Sequence, residues 1–315
     1  MRIIPVDCNY VEKEFAASFL LSSGGRGFFV ECNTTHAIPY LEKVAHEEGL
    51  SPNDVQGLLI THVHLDHAGG TGAFLKTFPH AKVYAHPRAA KHLIDPSKLI
   101  ASATAVYGEE KMKEWYGPIY PCDPERVVLM QDQDSFFFEG REMKTKHLRG
   151  HANHHLVMME PETQTLFSGD SFGVAYPKLF QTKGDIILAS TSPTDFDGEA
   201  ALQAIDWILG QHPEQIALTH FGFLPKEKIE VCGQILRDQI QYSMELIAQI
   251  IREGIDVHEV QERLQQFLVR YFSERGVPLT QDDLRYLSID LKVNAQGLHF
   301  AAHRVQASSG VSDRV

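Results

Sequence analysis

The feature that most narrows what this chain can be is the segment Thr61-His62-Val63-His64-Leu65-Asp66-His67-Ala68-Gly69-Gly70, which follows the apolar run Gly57-Leu58-Leu59-Ile60. Four groups able to ligate a cation fall within six residues. Neutral imidazole and carboxylate suit zinc and similar divalent ions. Side chains two apart in an extended segment project to the same side, so His62 and His64 face together. Asp66 and His67 then fall where the chain turns into a helix, and Ala68, Gly69 and Gly70 let the backbone turn tightly beneath an ion. A lone His-x-His is commonly a histidine-rich surface loop. Four such groups crowded together without a cation would be sterically and electrostatically wasteful, so the spacing predicts a metal site at the end of a strand.

Three later segments carry matching groups. His151 follows a strand-like stretch in Leu148-Arg149-Gly150-His151, Asp170 ends Leu166-Phe167-Ser168-Gly169-Asp170, and His220 ends Ile216-Ala217-Leu218-Thr219-His220. Each alone reads as a structural residue after a strand. Together they place ligands at the ends of separate strands, the rigid cage that a metal requires.

Composition leaves room for such a fold. A folded 35.4 kDa chain exposes roughly 13,000 Å² against roughly 51,000 Å² extended, so about three quarters of its surface can be buried. With 43% hydrophobic and 22% charged residues, disordered and collagen-like chains are excluded. No apolar run approaches the roughly 20 residues of a spanning helix. The opening residues lack the apolar stretch of a signal peptide, so none is expected. Cys8, Cys32, Cys122 and Cys232 are far apart and form no Cys-x-x-Cys; they read as reduced thiols of a cytoplasmic protein. The formal charge of −12 disfavours nucleic-acid and anionic-membrane partners.

Along the chain, residues 19–21, 27–30, 57–60, 82–85, 135–139, 142–148, 155–159 and 165–167 read as strands. Residues 39–49, 70–78 and 196–210 read as helices. Strands followed by helices suggest a layered α/β domain over residues 1–224. Residues 226–253, 257–272 and 282–304 have helical spacing and read as a helical C-terminal extension, residues 225–315, packed on that domain. Its long helix suits a homodimer surface or a lid over a monomer's pocket. The polar tail from Ala307 to Val315 reads as frayed.

The set His62, His64, Asp66, His67, His151, Asp170 and His220 resembles that of the metallo-β-lactamase superfamily of metal-dependent hydrolases, over roughly residues 15–225. The resemblance implies an αβ/βα four-layer sandwich, two mixed sheets flanked by helices, with the site at one edge between the sheets. By that resemblance His62, His64 and His151 hold one metal, Asp66, His67 and His220 hold a second, and Asp170 bridges both. The early strand in this family often ends in a supporting Asp; here Glu31 stands in that stretch, with a longer reach, and Asp7 fits worse. The segments around residues 150–155, 168–173, 192–197 and 219–222, with the helical tail, resemble a lactonase-like bacterial and archaeal branch.

The function implied is hydrolysis of an ester-like bond, a lactone first, by hydroxide generated between two divalent ions, zinc ahead of manganese or iron. Asp66 and Asp170 are the carboxylates of that chemistry. Tyr176, six residues after Asp170, is placed to donate to a substrate oxygen, or else packs against its loop. One of His154 and His155 is a candidate support for the site, and Lys178 and Lys183 are either partners of a substrate carboxylate or a solvated loop. Glyoxalase-II-like thioester hydrolysis and a mononuclear-iron persulfide dioxygenase share part of the ligand set. The chain has no Gly-x-Ser-x-Gly elbow and no Walker A loop.

Overall fold

The computed structural model describes residues 1–191 and 194–308. Ser192 and Pro193, which open one of the quoted segments, and residues 309–315 of the polar tail lie outside the described residues. The chain divides into two compact units.

The first unit comprises Met1–Leu148, His154–Gly169 and His212–Glu227. It carries two six-stranded mixed sheets. One runs in the order β1 (Arg2–Asp7), β2 (Ala17–Ser23), β3 (Arg26–Val30), β4 (Val55–Ile60), β5 (Lys82–Ala85), β6 (Val127–Leu129). β1 to β3 pair antiparallel, and β3 to β6 pair parallel. The other, read from the far edge, consists of β7 (Ser135–Phe138), β8 (Arg141–His147), β9 (Leu156–Glu160), β10 (Thr165–Gly169), β11 (Gln215–Leu218) and β12 (Gly222–Pro225). Only β10 and β11 in it are parallel.

The two sheets face each other across an aromatic core that includes Phe19, Phe28, Phe136, Phe138 and Phe167. Phe28 stacks on Phe136 with centroids 5.0 Å apart. β4 has parallel neighbours on both edges and is buried from Gly57 to Ile60, which explains its unbroken apolar sequence. The outer face of the first sheet, with Phe29, Leu58 and Val83, is covered by Leu41 of helix Ile38–Glu47 and by Phe74 of helix Thr71–Thr77. The fold is thus the expected sandwich of two mixed sheets flanked by helices.

The second unit comprises Arg149–Asn153, Asp170–Gln211 and the chain from Lys228 onward. Its long helix, Lys226–Glu253, buries Ile229, Cys232, Ile235, Leu236 and Ile240, the stripe predicted from helical spacing. Helix Val257–Glu274 packs on helix Ser288–Ser308. The single helix expected over 282–304 is instead two, Gln281–Tyr286 and Ser288–Ser308. The first opens on a capping box in which Thr280 and Asp283 satisfy each other's backbone N–H. All four cysteines are buried free thiols, and no helix among the described residues is long and apolar enough to cross a membrane.

Candidate metal centre

β4 delivers Thr61 and His62 at its end, fully buried, and His64 caps the short helix Leu65–Ala68 that carries Asp66 and His67. The backbone turn is held by Asn33, whose side-chain amide donates to the Asp66 carbonyl at 2.6 Å. His62 Nε2 and His64 Nδ1 are 2.9 Å apart. That is close to the roughly 3.3 Å that two imidazole nitrogens span when each lies about 2.0–2.1 Å from a tetrahedral zinc ion. The His62 and His67 rings are 4.0 Å apart and the His67 and His220 rings 5.3 Å. His220 Nε2 lies 3.5 Å from Asp66 Oδ2.

The second nitrogen of each ring decides which atom is offered. His220 Nδ1 lies 2.7 Å from the Phe15 carbonyl and His67 Nδ1 lies 3.2 Å from Glu31 Oε1. A carbonyl or carboxylate only accepts, so both Nδ1 atoms carry the proton and the lone pair sits on Nε2. Thr61 donates its hydroxyl proton to Glu31 and therefore accepts from His62 Nδ1 at 3.0 Å, with the same outcome. Ligating histidines are oriented in this way, by an acceptor on the nitrogen that does not bind the metal.

A divalent cation fits this donor set. The candidate ligand atoms of Asp66, His67 and His220 all lie within 4.8 Å of one another, and so do those of Glu31, His62 and His67. Glu31 is 1% exposed, and its Oε2 accepts no hydrogen bond from the described residues. Burial pushes its carboxyl up in pKa, against the opposing pull of His67 and Thr61. The longer acidic side chain noted in the sequence thus reaches both Thr61 and the His67 ring, and its left-handed backbone (φ 63°) is a conformation found mostly at turns and functional sites. His155 stacks on His62 with centroids 4.9 Å apart, and His154 Nδ1 accepts from the Val63 amide at 3.5 Å.

β10 closes against this cluster through Gly169, whose φ is +50°. A Cβ there would stand 2.5 Å from Thr61 Oγ1 and 2.7 Å from His155 Nε2. Gly169→Ala should therefore lower stability by about 2 kcal/mol or more and weaken metal uptake. Thermal melts and metal content check this, and a variant unchanged in both would show that Thr61 and His155 yield freely.

In the second unit, His151 and Asp170 lie together. His151 Nε2 is 3.6 Å from Asp170 Oδ2, and His151 Nδ1 lies 3.2 Å from the Ser190 carbonyl, so this ring also offers Nε2. The Ser190 hydroxyl donates to Asp170 Oδ2 at 3.3 Å. Tyr176 is 3% exposed and its hydroxyl donates to Asp290 at 2.9 Å, so its proton is engaged by a neighbouring carboxylate. Burial and Asp290 push that phenol well above its ordinary pKa. Lys183 pairs with Asp283, and Lys178 lies over the Tyr286 ring.

One group of residues near the first-unit cluster has no counterpart among the sequence expectations. Phe15 meets the His220 ring edge-on at 6.1 Å, and from it run Tyr10, Tyr116, Tyr107 and Trp115, each ring in contact with the next. The Tyr10 hydroxyl donates to that of Tyr116 at 3.1 Å. Burial first, and then the Asp66 charge, push the Tyr10, Tyr107 and Tyr116 phenols up, which keeps them protonated.

Residues 13–206 match the family described as Metallo-beta-lactamase superfamily. A "Metallo-beta-lactamase fold-containing protein", ST1585 of Sulfurisphaera tokodaii, is 25% identical over 210 residues, 64% of this chain and 76% of the relative. The crystal structure of ST1585 superposes with a TM-score of 0.63 at 18% identity, covering 94% of this chain and 97% of that one. A metallo-beta-lactamase family protein of Thermus thermophilus gives 0.65 at 18% identity, covering 100% and 95%. The family match spans well over half of the sequence and includes six of the seven expected ligands, His62, His64, Asp66, His67, His151 and Asp170. This chain belongs to the metallo-beta-lactamase superfamily.

Proposed function

We propose that the protein is a dinuclear metal-dependent hydrolase of small ester-like substrates, with a lactone as the favoured class. The observation that carries this reading is the common orientation of the imidazoles: His62, His67, His151 and His220 each have Nδ1 against an acceptor and offer Nε2. In this proposal His62, His64 and His151 hold one ion, Asp66, His67 and His220 a second, and Asp170 is shared. When bound, two divalent cations lower the pKa of a water from about 15.7 towards 7 and polarise a carbonyl oxygen.

The chain's own residues do the rest. The Phe15 and Ser190 carbonyls and Glu31 hold their rings in one tautomer, so no reorientation is needed when substrate arrives. Asp66, at 26% side-chain exposure, is the most open of the carboxylates. Of the aromatic run, Tyr107 and Trp115 are half-buried while Phe15, Tyr10 and Tyr116 are buried, an apolar wall with protonated phenols that suits a neutral, weakly polar acyl compound better than a charged one. Four buried free thiols suit a reducing cytoplasm. A small-molecule substrate is the partner this reading calls for.

The test reconstitutes purified protein with Zn²⁺, Mn²⁺ or Fe²⁺ and screens lactones, thioesters and aryl esters. About two metal equivalents per chain and turnover of lactones are expected. Full activity after chelation would refute the mechanism. Activity confined to thioesters would make the glyoxalase-II-like substrate the right one. Dioxygen uptake with a persulfide would replace hydrolysis altogether.

A further inference from the structure

Residues 187–191 of the second unit form an extended strap that is buried except at Ser190. On one edge, Leu188 exchanges both backbone hydrogen bonds with Val174 at 2.9 Å, and two residues on the Ser190 carbonyl meets His151 Nδ1. The other edge has no neighbouring strand among the described residues. Two primary amides from the C-terminal helices stand in its place. Gln239, on helix Lys226–Glu253, donates to the Ile187 carbonyl at 2.7 Å and accepts from the Ala189 amide at 3.0 Å. Asn294, on helix Ser288–Ser308, donates to the Ala189 carbonyl at 2.9 Å and accepts from the Thr191 amide at 2.8 Å. The same helix reaches further along the chain, where Arg304 donates to the carbonyls of Thr194 and Phe196.

Backbone groups buried this deeply must find partners. The amides supply them in the strap's own two-residue period, as a paired strand would. A cavity of about 20 Å³ adjoins Ala189 and Ser190 beside Leu236 and Ile240, and another of about 20 Å³ adjoins Leu188 and Thr191 beside Leu264.

We propose that Gln239 and Asn294 are positioning residues of the metal centre: by holding residues 187–191 they set the Ser190 carbonyl and hydroxyl that orient His151 and Asp170. This rests on the reading of His151 and Asp170 as ligands given above. It assigns the C-terminal helices a task in metal binding without contact to metal or substrate.

The test compares wild type with Gln239→Met and Asn294→Leu, which keep side-chain volume and remove the amide, and with Val260→Ala, which thins the helix packing elsewhere. Zinc affinity by chelator competition, the visible spectrum of the Co²⁺ form and the melting temperature are measured for each. Both amide variants should bind one zinc equivalent about tenfold more weakly, with an altered Co²⁺ spectrum. Val260→Ala should melt lower with affinity and spectrum unchanged. If Asn294→Leu does not fold, Asn294→Asp, which keeps the acceptor for Thr191 and loses the donor to Ala189, gives the same comparison. Amide variants with wild-type affinity and spectrum would overturn the inference. A wild type that takes up no metal would instead overturn the metal centre itself, and the inference with it.

Discussion

Asp170→Asn should lower turnover by about three orders of magnitude, near 4 kcal/mol of transition-state stabilisation, while the fold and melting temperature stay close to wild type. The substitution is nearly isosteric at a site 8% exposed. The amide oxygen can still accept from the Ser190 hydroxyl, which now approaches Oδ2 at 3.3 Å. Neutralising a carboxylate also removes its desolvation cost, so the metal-free protein has no reason to unfold. What is lost is the second lone-pair oxygen and the negative charge facing His151 Nε2 at 3.6 Å. On the proposed reading Asp170 would be shared by two ions through both oxygens, so metal content should fall from about two equivalents towards one. Elemental analysis, steady-state rates and circular-dichroism melts on one preparation separate the alternatives. An Asn variant with two metals and full turnover would remove Asp170 from the ligand set.

The sequence shows the middle of each sheet better than its rim. β2, β3, β4 and β5 were legible because central strands bury both faces and carry continuous apolar runs; for β5 the expected and observed bounds coincide at Lys82–Ala85. The three strands that sequence patterning missed, β1, β6 and β12, all lie at sheet edges. β1 contains Pro5, β12 ends in Pro225 and β6 has three residues, features that edge strands tolerate and central ones do not. Residues 89–124 carry no element expected from the sequence, although they form helices. Their helices, Pro87–Ile94, Ser97–Tyr107 and Glu109–Lys111, are interrupted by Pro96 and Gly108, residues that mark turns in a sequence. The 28-residue helix Lys226–Glu253 is long enough that its apolar period fixes both ends.

The candidate ligands stand out in the sequence because a metal would demand rare residue types at strand ends. Their supports do not, because a backbone carbonyl leaves no mark in a sequence: nothing in Phe15 or Ser190 announces that its oxygen meets an imidazole. Glu31 was noticed only as a departure from a family pattern. The ring-to-ring run from Phe15 through Tyr10 to Tyr116 joins residues about a hundred positions apart in sequence, so only the folded sheet order brings them together. Gln239 and Asn294 look like interruptions in apolar helix stripes until the strap they hold is seen.

His67→Ala should cost the metal-free protein about 3 kcal/mol, beyond its effect on metal binding. His67 and Glu31 are both almost wholly buried, 0% and 1% exposed, with Nδ1 and Oε1 at 3.2 Å. Removing the ring takes away a hydrogen-bond donor of the carboxylate and one of the groups that offset its burial, leaving the donors of Thr61. Taking a donor from a buried carboxylate is costly because the remaining charge stays desolvated, whereas removing that charge as well is not. The double variant His67→Ala with Glu31→Gln should therefore regain a good part of the loss, since Gln keeps an acceptor for Thr61 without the charge. Denaturant unfolding of chelator-treated protein measures this with metal binding out of the comparison. A single variant that loses less than about 1 kcal/mol would mean that Glu31 is held by other donors or already carries a proton. A double variant no better than the single would place the cost in the cavity left by the imidazole.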